Sequence, residues 1–153
     1  MKKKQATTKL ISNRRARHDY ALRDSLIVGL QLTGAETKAL RLGQGQLRGA
    51  HILVKDGELW LINAVISGNQ SVHISEEDQT RSRKLLAKRR EIDKMIATKQ
   101  QGLSIVPLEI LTRGRYIKLR IASGRGKKLY DKRASLMKKE HPRKIDRAVN
   151  KRP

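Results

Sequence analysis

Positive charge dominates this chain and is concentrated near its two ends. The 153 residues include 36 Lys and Arg against 14 Asp and Glu, which gives a formal net charge of +22. Residues 1–19 hold seven basic residues and one acid, and residues 124–153 hold twelve and three. Because self-repulsion at this charge destabilises a compact monomer, a polyanionic partner is the simplest explanation. The pattern predicts a nucleic-acid-binding body between a basic arm and a basic tail.

Composition excludes several classes of protein. The chain has no Cys, which rules out disulfides, thiolate nucleophiles and cysteine-ligated zinc fingers. It has no Phe and only 3% aromatic residues, so a core must consist of Leu, Ile, Val and Ala. No apolar run approaches the roughly 20 residues that span a bilayer. None follows the lysines at 2–4 as in a signal peptide. We therefore expect a soluble cytoplasmic protein, monomeric because of its charge.

Strand patterns are the strongest structural signal in the middle of the chain. Apolar runs bounded by turn residues predict strands at 26–32, 52–54, 59–62, 104–112 and 116–122. Asp-Gly at 56–57 predicts a hairpin turn, and the Arg-Gly-Arg at 113–115 predicts a second one. In the last strand, residues 117, 119 and 121 are apolar, whereas Tyr116, Lys118 and Arg120 form a basic, partly aromatic face.

Helical periodicity is weaker and is confined to two segments. The longer segment is defined by apolar residues at helical spacing and a closing glycine: Leu85, Leu86, Ile92, Met95, Ile96 and Gly102. Residues 35–42 predict a short helix that ends near Gly43. Strands on both sides of one helix predict a mainly β, α+β protein with a small antiparallel barrel or sheet.

The C-terminal segment differs in character from the body. Gly124, Arg125 and Gly126 interrupt the strand pattern, and residues 129–149 are poor in apolar side chains. Such a segment buries too little surface to offset its ordering entropy, so we expect the tail to be disordered when free. Against RNA its charge is neutralised, and a helix over about 132–139 becomes favourable. The tail is therefore predicted to fold on binding.

No grouping of residues in the sequence indicates catalysis. His18 and Asp19 are adjacent, and as neighbours in an extended strand they would point to opposite faces. Residues 76–78 are an acidic run that we interpret as a solvated loop. The histidines have no metal-ligand spacing, and no phosphate-binding GxxxxGK[ST] loop occurs. We expect no enzyme activity, no metal site and no cofactor.

Binding to a folded RNA fits the composition better. Each Lys or Arg that neutralises a phosphate releases a counterion, and this chain has many. Only four side chains can stack on bases: Tyr20, Trp60, Tyr116 and Tyr130. A protein that binds many splayed bases would carry more rings, so recognition by shape and backbone is favoured. We predict that Trp60 is a core or barrel-wall residue and that Tyr130 makes a functional contact.

Five ordered stretches resemble one family, the SsrA-binding proteins or small protein B. They are NRRARHDY at 13–20, GLQLTGAETKALR at 29–41, GELWLINA at 57–64, RSRKLL at 81–86 and GKKLYDKR at 126–133. The resemblance implies an OB-like barrel with an embedded helix that binds the tRNA-like domain of transfer-messenger RNA. It implies an adaptor for stalled bacterial ribosomes, with a body at 13–123 following an arm at 1–12. The tail at 124–153 would enter the vacant messenger channel.

The resemblance also implies roles for individual residues. The RNA-facing set on the body is Asn13, Arg15, Arg17, His18, Glu36, Lys38, Arg83, Lys84, Leu86 and Lys118. The tail set at the ribosomal decoding centre is Gly126, Lys127, Lys128, Tyr130, Asp131, Lys132 and Arg133. Alternatives stay open: Glu36 as an anchor of its own helix, Leu86 as a core residue, and Lys38 and Arg83 as ordinary solvated charges.

The chain departs from the family pattern at two of the positions that matter here. Ile27 stands where the family usually has a carboxylate, and Gly124 stands where Ala is more common, which predicts a loosened hinge at the root of the tail.

A basic ribosomal or ribosome-assembly protein is the competing interpretation. It would remain on ribosomes through a high-salt wash, whereas an adaptor would be removed. A nuclease is a third possibility, which incubation of RNA with Mg²⁺ would test.

Overall fold

Antiparallel strands are the main regular element of the computed structural model, which describes residues 11–128 and residue 133. In chain order the elements are β1 (Ile11–Ser12), α1 (Arg14–Asp19), β2 (Tyr20–Leu30), α2 (Gly34–Arg41), β3 (Gly45–Gln46), β4 (His51–Lys55), β5 (Glu58–Ile62), β6 (Val65–Ile66), α3 (Glu76–Gln79), β7 (Arg83–Leu86), α4 (Arg89–Gln100), β8 (Ser104–Leu111) and β9 (Lys118–Gly126). The predicted α+β class with a dominant antiparallel sheet is confirmed.

Seven strands share one sheet in the order β1-β8-β9-β2-β7-β5-β4, and β3 pairs with β6 beside it. The sheet curls, since β4 at one edge approaches β8 near the other edge. This partly closed arrangement is the OB-like barrel that was expected. The helices α2 and α4 pack side chains into its core.

Both predicted hairpins are present. In the first, Lys55 pairs with Glu58 across a two-residue turn. Asp56 and Gly57 in that turn have φ values of 53° and 71°. Positive φ at both central residues is the geometry of the tight hairpin turn that an Asp-Gly pair favours. In the second hairpin β8 pairs with β9.

Strand β9 begins two residues later and ends four residues later than predicted, so Tyr116 lies in the loop before it. The strand continues through Gly124 and Arg125 to Gly126, which pairs with Tyr20, so the expectation that these glycines end the strand was wrong. Gly124 is buried, and a Cβ there would lie 3.0 Å from the carbonyl oxygen of Ala21 and 3.2 Å from the Cβ of Tyr20. The glycine allows close strand packing here, and it does not form a loose hinge.

The helix predicted from Leu85 onwards begins later. Leu85 and Leu86 belong to β7, which pairs with β2 and β5, and α4 begins at Arg89. The helical spacing of Leu85 and Leu86 to Ile92 is therefore a coincidence. In β7 the alternation of a strand buries Arg83 and Leu85 and exposes Leu86. The predicted end is confirmed, since Gly102 follows α4 with φ of +84°.

The core consists of aliphatic side chains, as the composition requires. Every hydrophobic residue buried in the described part of the chain is Ile, Leu, Val, Ala or Met. A second, smaller cluster lies on the other face of β8 and β9, where Ala16 of α1 packs with Val106, Leu108 and Ala122. Trp60 is half-buried in the barrel wall, as predicted. Helix α1 therefore covers one end of the outer face of the sheet.

Candidate nucleic-acid interface

The rest of that outer face is uncovered and combines apolar with cationic side chains. Gly29 of β2 lies opposite both Leu86 of β7 and Lys118 of β9, and Ile27 lies opposite Arg120. Ile27 is 45% exposed and Leu86 is 51% exposed. The alternative of Leu86 as a core residue is therefore wrong. A Cβ at Gly29 would lie 3.2 Å from the Cβ of Leu86, so the glycine allows the two strands to pack closely here.

The cations on this face differ in how they are held. Lys118 is exposed. The Arg120 guanidinium is ion-paired with the Glu109 carboxylate on the neighbouring strand. The Nζ of Lys84 lies 2.7 Å from Oε1 of Glu58, with both side chains about one-third exposed. Lys118 is therefore better placed than Lys84 to contact a phosphate, because a local carboxylate already neutralises Lys84.

Glu36 lies beneath the surface. It is 1% exposed, and with Thr33 it forms the capping box of α2. Its carboxylate accepts hydrogen bonds from Arg81, at 2.7 and 2.6 Å, and from Nε of Arg83 at 3.0 Å. Burial by itself raises the pKa of Glu36, but the hydrogen bonds from Arg81 and Thr33 and the charge of Arg83 outweigh it and lower the pKa.

Arg83 is fully buried, at 0% exposure, and its guanidinium is completely satisfied. Besides Glu36 it donates to the carbonyl oxygens of Ala64, Arg81, Asp78 and Gln79, at 2.9–3.1 Å. Its pKa is lowered by burial, which Glu36 opposes. The suggestion that Arg83 is an ordinary solvated charge was wrong.

Direct RNA contact by Glu36 or Arg83 is contradicted by this burial. Both side chains are enclosed and fully paired, so neither has a donor or acceptor left for a ligand. The alternative of Glu36 as a helix anchor agrees with the structure. Their place is under the candidate surface, where they join α2 to the segment that leads into β7.

Helix α2 presents two basic residues to solvent, and one of them fixes a neighbouring loop. Lys38 and Arg41 are exposed, while Ala39 and Leu40 are buried. Arg41 donates to three carbonyl oxygens in the β8–β9 loop. Sequence reasoning did not identify Arg41 as important, because its partners lie more than 70 positions away in the chain.

Helix α1 carries the other predicted RNA-facing residues of the body. Asn13 is buried and caps the helix by accepting from the amide of Ala16, which gives it a structural role. Arg15 and Arg17 are exposed. His18 and Asp19 lie at the end of a helix, with Nδ1 and Oδ1 3.0 Å apart, so the expectation that they point apart in a strand was wrong.

A cleft of about 850 Å³ lies between α1 and residues 46–51. Arg15 and Tyr20 line one wall, and Arg48 and His51 line the other. Arg48 and His51 carry no local signal in the sequence, because only the packing of β3 and β4 near α1 brings them into this cleft. The cleft adds cationic surface beside the sheet.

The root of the tail is tied to the body. Gly126 pairs with Tyr20, and the amide of Lys127 donates to the carbonyl oxygen of Asp19 at 2.8 Å. Lys128 and Arg133 are exposed. Tyr130, Asp131 and Lys132, and the predicted helix over 132–139 apart from Arg133, lie outside the described residues. Their roles stay predictions.

The described residues also bear on the acidic run, on metal binding and on membrane-spanning helices. Glu76, Glu77 and Asp78 are exposed, as predicted, but they form the short helix α3 rather than a loop. Within 11–128 and residue 133, no group of three or more His, Asp or Glu side chains is arranged to hold a metal ion. Over the same residues, no helix is long and apolar enough to cross a membrane.

Fold and surface together define a class: a small, strongly basic OB-like barrel whose exposed sheet face suits RNA. Comparison with known proteins identifies the family. The family model described as SmpB protein matches residues 10–151. The chain therefore belongs to the SmpB protein family.

Similar proteins agree with this assignment. The SsrA-binding protein of Trichormus variabilis is 43% identical over 97% of this chain and 98% of its own length. That of a Roseiflexus species is 44% identical over 92% of this chain and 90% of its own. A chain in a solved structure described as "tmRNA-SmpB: a journey to the center of the bacterial ribosome" is similar with a TM-score of 0.64. Its sequence identity is 37%, covering 78% of this chain and 85% of that one.

Proposed function

We propose that this protein is an adaptor that binds the tRNA-like domain of transfer-messenger RNA and delivers it to stalled bacterial ribosomes for trans-translation. The observation that carries the proposal is the exposed outer face of the sheet, with Ile27, Leu86 and Lys118 side by side, in a member of the SmpB family. The role is one of binding and involves no catalytic step. It places the protein in the bacterial cytoplasm.

The tRNA-like domain and the ribosome contact two different parts of the chain. The body, with its uncovered sheet face and α2, contacts the tRNA-like domain through Lys38, Leu86 and Lys118. Arg15 and Arg17 add to the cationic surface at its margins, where Lys84 and His18 also lie. The tail contacts the small-subunit decoding centre and messenger channel. This division fits the charge distribution, since residues 124–153 alone carry twelve basic residues.

Ile27 gives this interface an apolar character. A carboxylate at that position would lie opposite Arg120 and would accept a hydrogen bond from RNA; Ile27 instead extends the apolar surface of Leu86 across Gly29. Apolar side chains contact the faces of bases and riboses, whereas Lys118 contacts phosphates. We propose that RNA recognition here relies less on hydrogen bonds and more on surface packing.

Replacing Lys38 and Lys118 together with Ala is expected to weaken binding of the tRNA-like domain and to reduce its dependence on salt. Each lost phosphate contact removes roughly 0.7–0.9 from the slope of log K against log salt, so the double variant should lose about 1–2 in slope. Filter binding at several salt concentrations measures it. The matched control is Lys94→Ala with Lys99→Ala, two exposed lysines on α4, which carries none of the RNA-facing candidates. Equal slopes for both double variants would remove Lys38 and Lys118 from the interface.

A further inference from the structure

We propose that the β8–β9 loop, residues 112–117, is a preorganised stacking element in which the ring of Tyr116 receives an unpaired base of the bound RNA. This inference rests on the proposed function, because the base belongs to the RNA that the adjoining sheet face binds. Tyr116 is not among the site residues inferred from the family resemblance.

Arg41 fixes the conformation of this loop. Its Nη1 donates to the carbonyl oxygen of Thr112 at 3.0 Å, and its Nη2 donates to those of Gly114 at 3.2 Å and Arg115 at 2.9 Å. A short hairpin loop normally leaves such carbonyls to water. Three bonds from one planar guanidinium hold the loop in a single shape before any ligand arrives, which lowers the entropy cost of binding.

The loop presents an aromatic face to solvent. Tyr116 is 67% exposed, more than Ile27, Leu42, Leu53 or Leu86, the other large hydrophobic residues on the surface. The guanidinium carbon of Arg115 lies 5.5 Å from the centre of its ring. In a chain with 3% aromatic residues, where none of the fully buried hydrophobic residues in the described part is aromatic, a ring held at the surface is available for contact with a ligand.

The position of the loop makes it continuous with the candidate interface. Tyr116 is two residues before Lys118 at the start of β9, and Arg41 lies one helical turn after Lys38 in α2. An RNA lying across Lys38 and Lys118 would therefore pass over the loop.

The positive charge near the ring favours a nucleotide as its ligand. Arg115 lies beside the ring, Arg113 and Lys118 are two or three residues away in the chain, and Arg41 bonds the same loop. All four are exposed. Cations near a flat aromatic face suit a base with its phosphates, because stacking and phosphate neutralisation act together. A single unpaired base is also what a chain with few rings can accommodate while it recognises folded RNA.

The test compares Tyr116→Ala, Tyr116→Phe and Arg41→Lys with the wild type in binding the tRNA-like domain. Loss of one base–aromatic stack should weaken the complex of Tyr116→Ala roughly 5- to 150-fold without changing the salt slope. Tyr116→Phe keeps the ring and should bind like the wild type. Arg41→Lys keeps the charge but cannot hold three carbonyls in one plane, so it should bind more weakly with an unchanged slope. The urea midpoint of Tyr116→Ala should not move.

Each result of these binding measurements supports or overturns the stacking role of Tyr116. A Tyr116→Ala affinity within about twofold of wild type, or a Tyr116→Phe variant as weak as Tyr116→Ala, would overturn the stacking role. Elongator tRNA added as competitor in the same assay tests the proposed function separately from the stacking role. If elongator tRNA and unlabelled tRNA-like domain displace the labelled RNA from the wild type equally well, both the proposed function and this inference fail. If the wild type is specific and Tyr116→Ala is unaffected, only this inference fails.

Discussion

Replacing Asp131, Lys132 and Arg133 together with Ala is expected to abolish tagging of nascent chains on stalled ribosomes and to leave binding of the tRNA-like domain nearly unchanged. The reason is the proposed division of labour: the RNA-facing side chains of the body remain, whereas the tail loses the segment that matches the family's decoding-centre motif. A reconstituted translation reaction on a messenger without a stop codon measures tagging, and filter binding measures RNA affinity.

The matched control is the triple alanine variant of Lys138, Lys139 and Glu140. It also removes two basic residues and one acidic residue, so the net charge changes by the same amount. It lies outside the matched motif and should retain most of the tagging activity. A collapse of RNA binding in the first variant would show that the tail contacts the tRNA-like domain. Equal tagging by the first variant and the wild type would remove the motif from the decoding centre.

Replacing Arg83 with Met is expected to cost about 3–5 kcal/mol of the free energy of unfolding, because it removes one partner of a buried ion pair. It leaves the carboxylate of Glu36 enclosed with less compensation, and it leaves the carbonyl oxygens of Asp78, Gln79 and Ala64 without their donor. Urea unfolding followed by the fluorescence of Trp60 gives the free energy.

Arg81→Met is the control for that experiment. Arg81 bonds the same carboxylate, but its side chain is 33% exposed and water can replace part of the interaction. We expect it to lose only about 1–2 kcal/mol. A wild-type stability for Arg83→Met would contradict the structural role. So would a folded Arg83→Met whose RNA-binding salt slope is reduced, because that result would make Arg83 a phosphate contact.

Much of the barrel is predictable from local patterns. Asp56-Gly57 between two apolar runs specifies a tight turn, and the alternation from Ile117 to Ile121 specifies which face of β9 is buried. Both signals are local, and tertiary packing agrees with them. The aliphatic core follows in the same way from the lack of Phe, since few other side chains are available to fill the barrel.

The failures arise where local pattern and tertiary context disagree. Leu85 and Leu86 have helical spacing to Ile92, yet pairing with β2 and β5 places them in a strand. Gly124 is a strand breaker by composition, but in the structure it lies within β9 and allows close contact with Tyr20 and Ala21. Neither the pairing partners nor the close approach can be inferred from the neighbouring sequence.

Prediction of the candidate interface is limited in the same way, because local sequence does not show tertiary contacts. The family resemblance drew attention to the segments around Glu36 and Arg83, but the residues alone do not distinguish a buried ion pair from a surface one. Once residues 83–86 are known to be a strand, alternation places Arg83 inside and Lys84 outside. Arg41 meets the loop that carries Tyr116 only through the fold, because α2 and the β8–β9 loop are far apart in the chain.

Competition binding at one physiological salt concentration tests the central claim most directly. Labelled tRNA-like domain of transfer-messenger RNA is bound to the protein and challenged with excess elongator tRNA. An adaptor that recognises this RNA specifically should retain it against the competitor and release it to unlabelled tRNA-like domain. Equal displacement by elongator tRNA would mean that the net charge of +22 alone provides the binding. The interpretation as a basic ribosomal or ribosome-assembly protein would then be preferred.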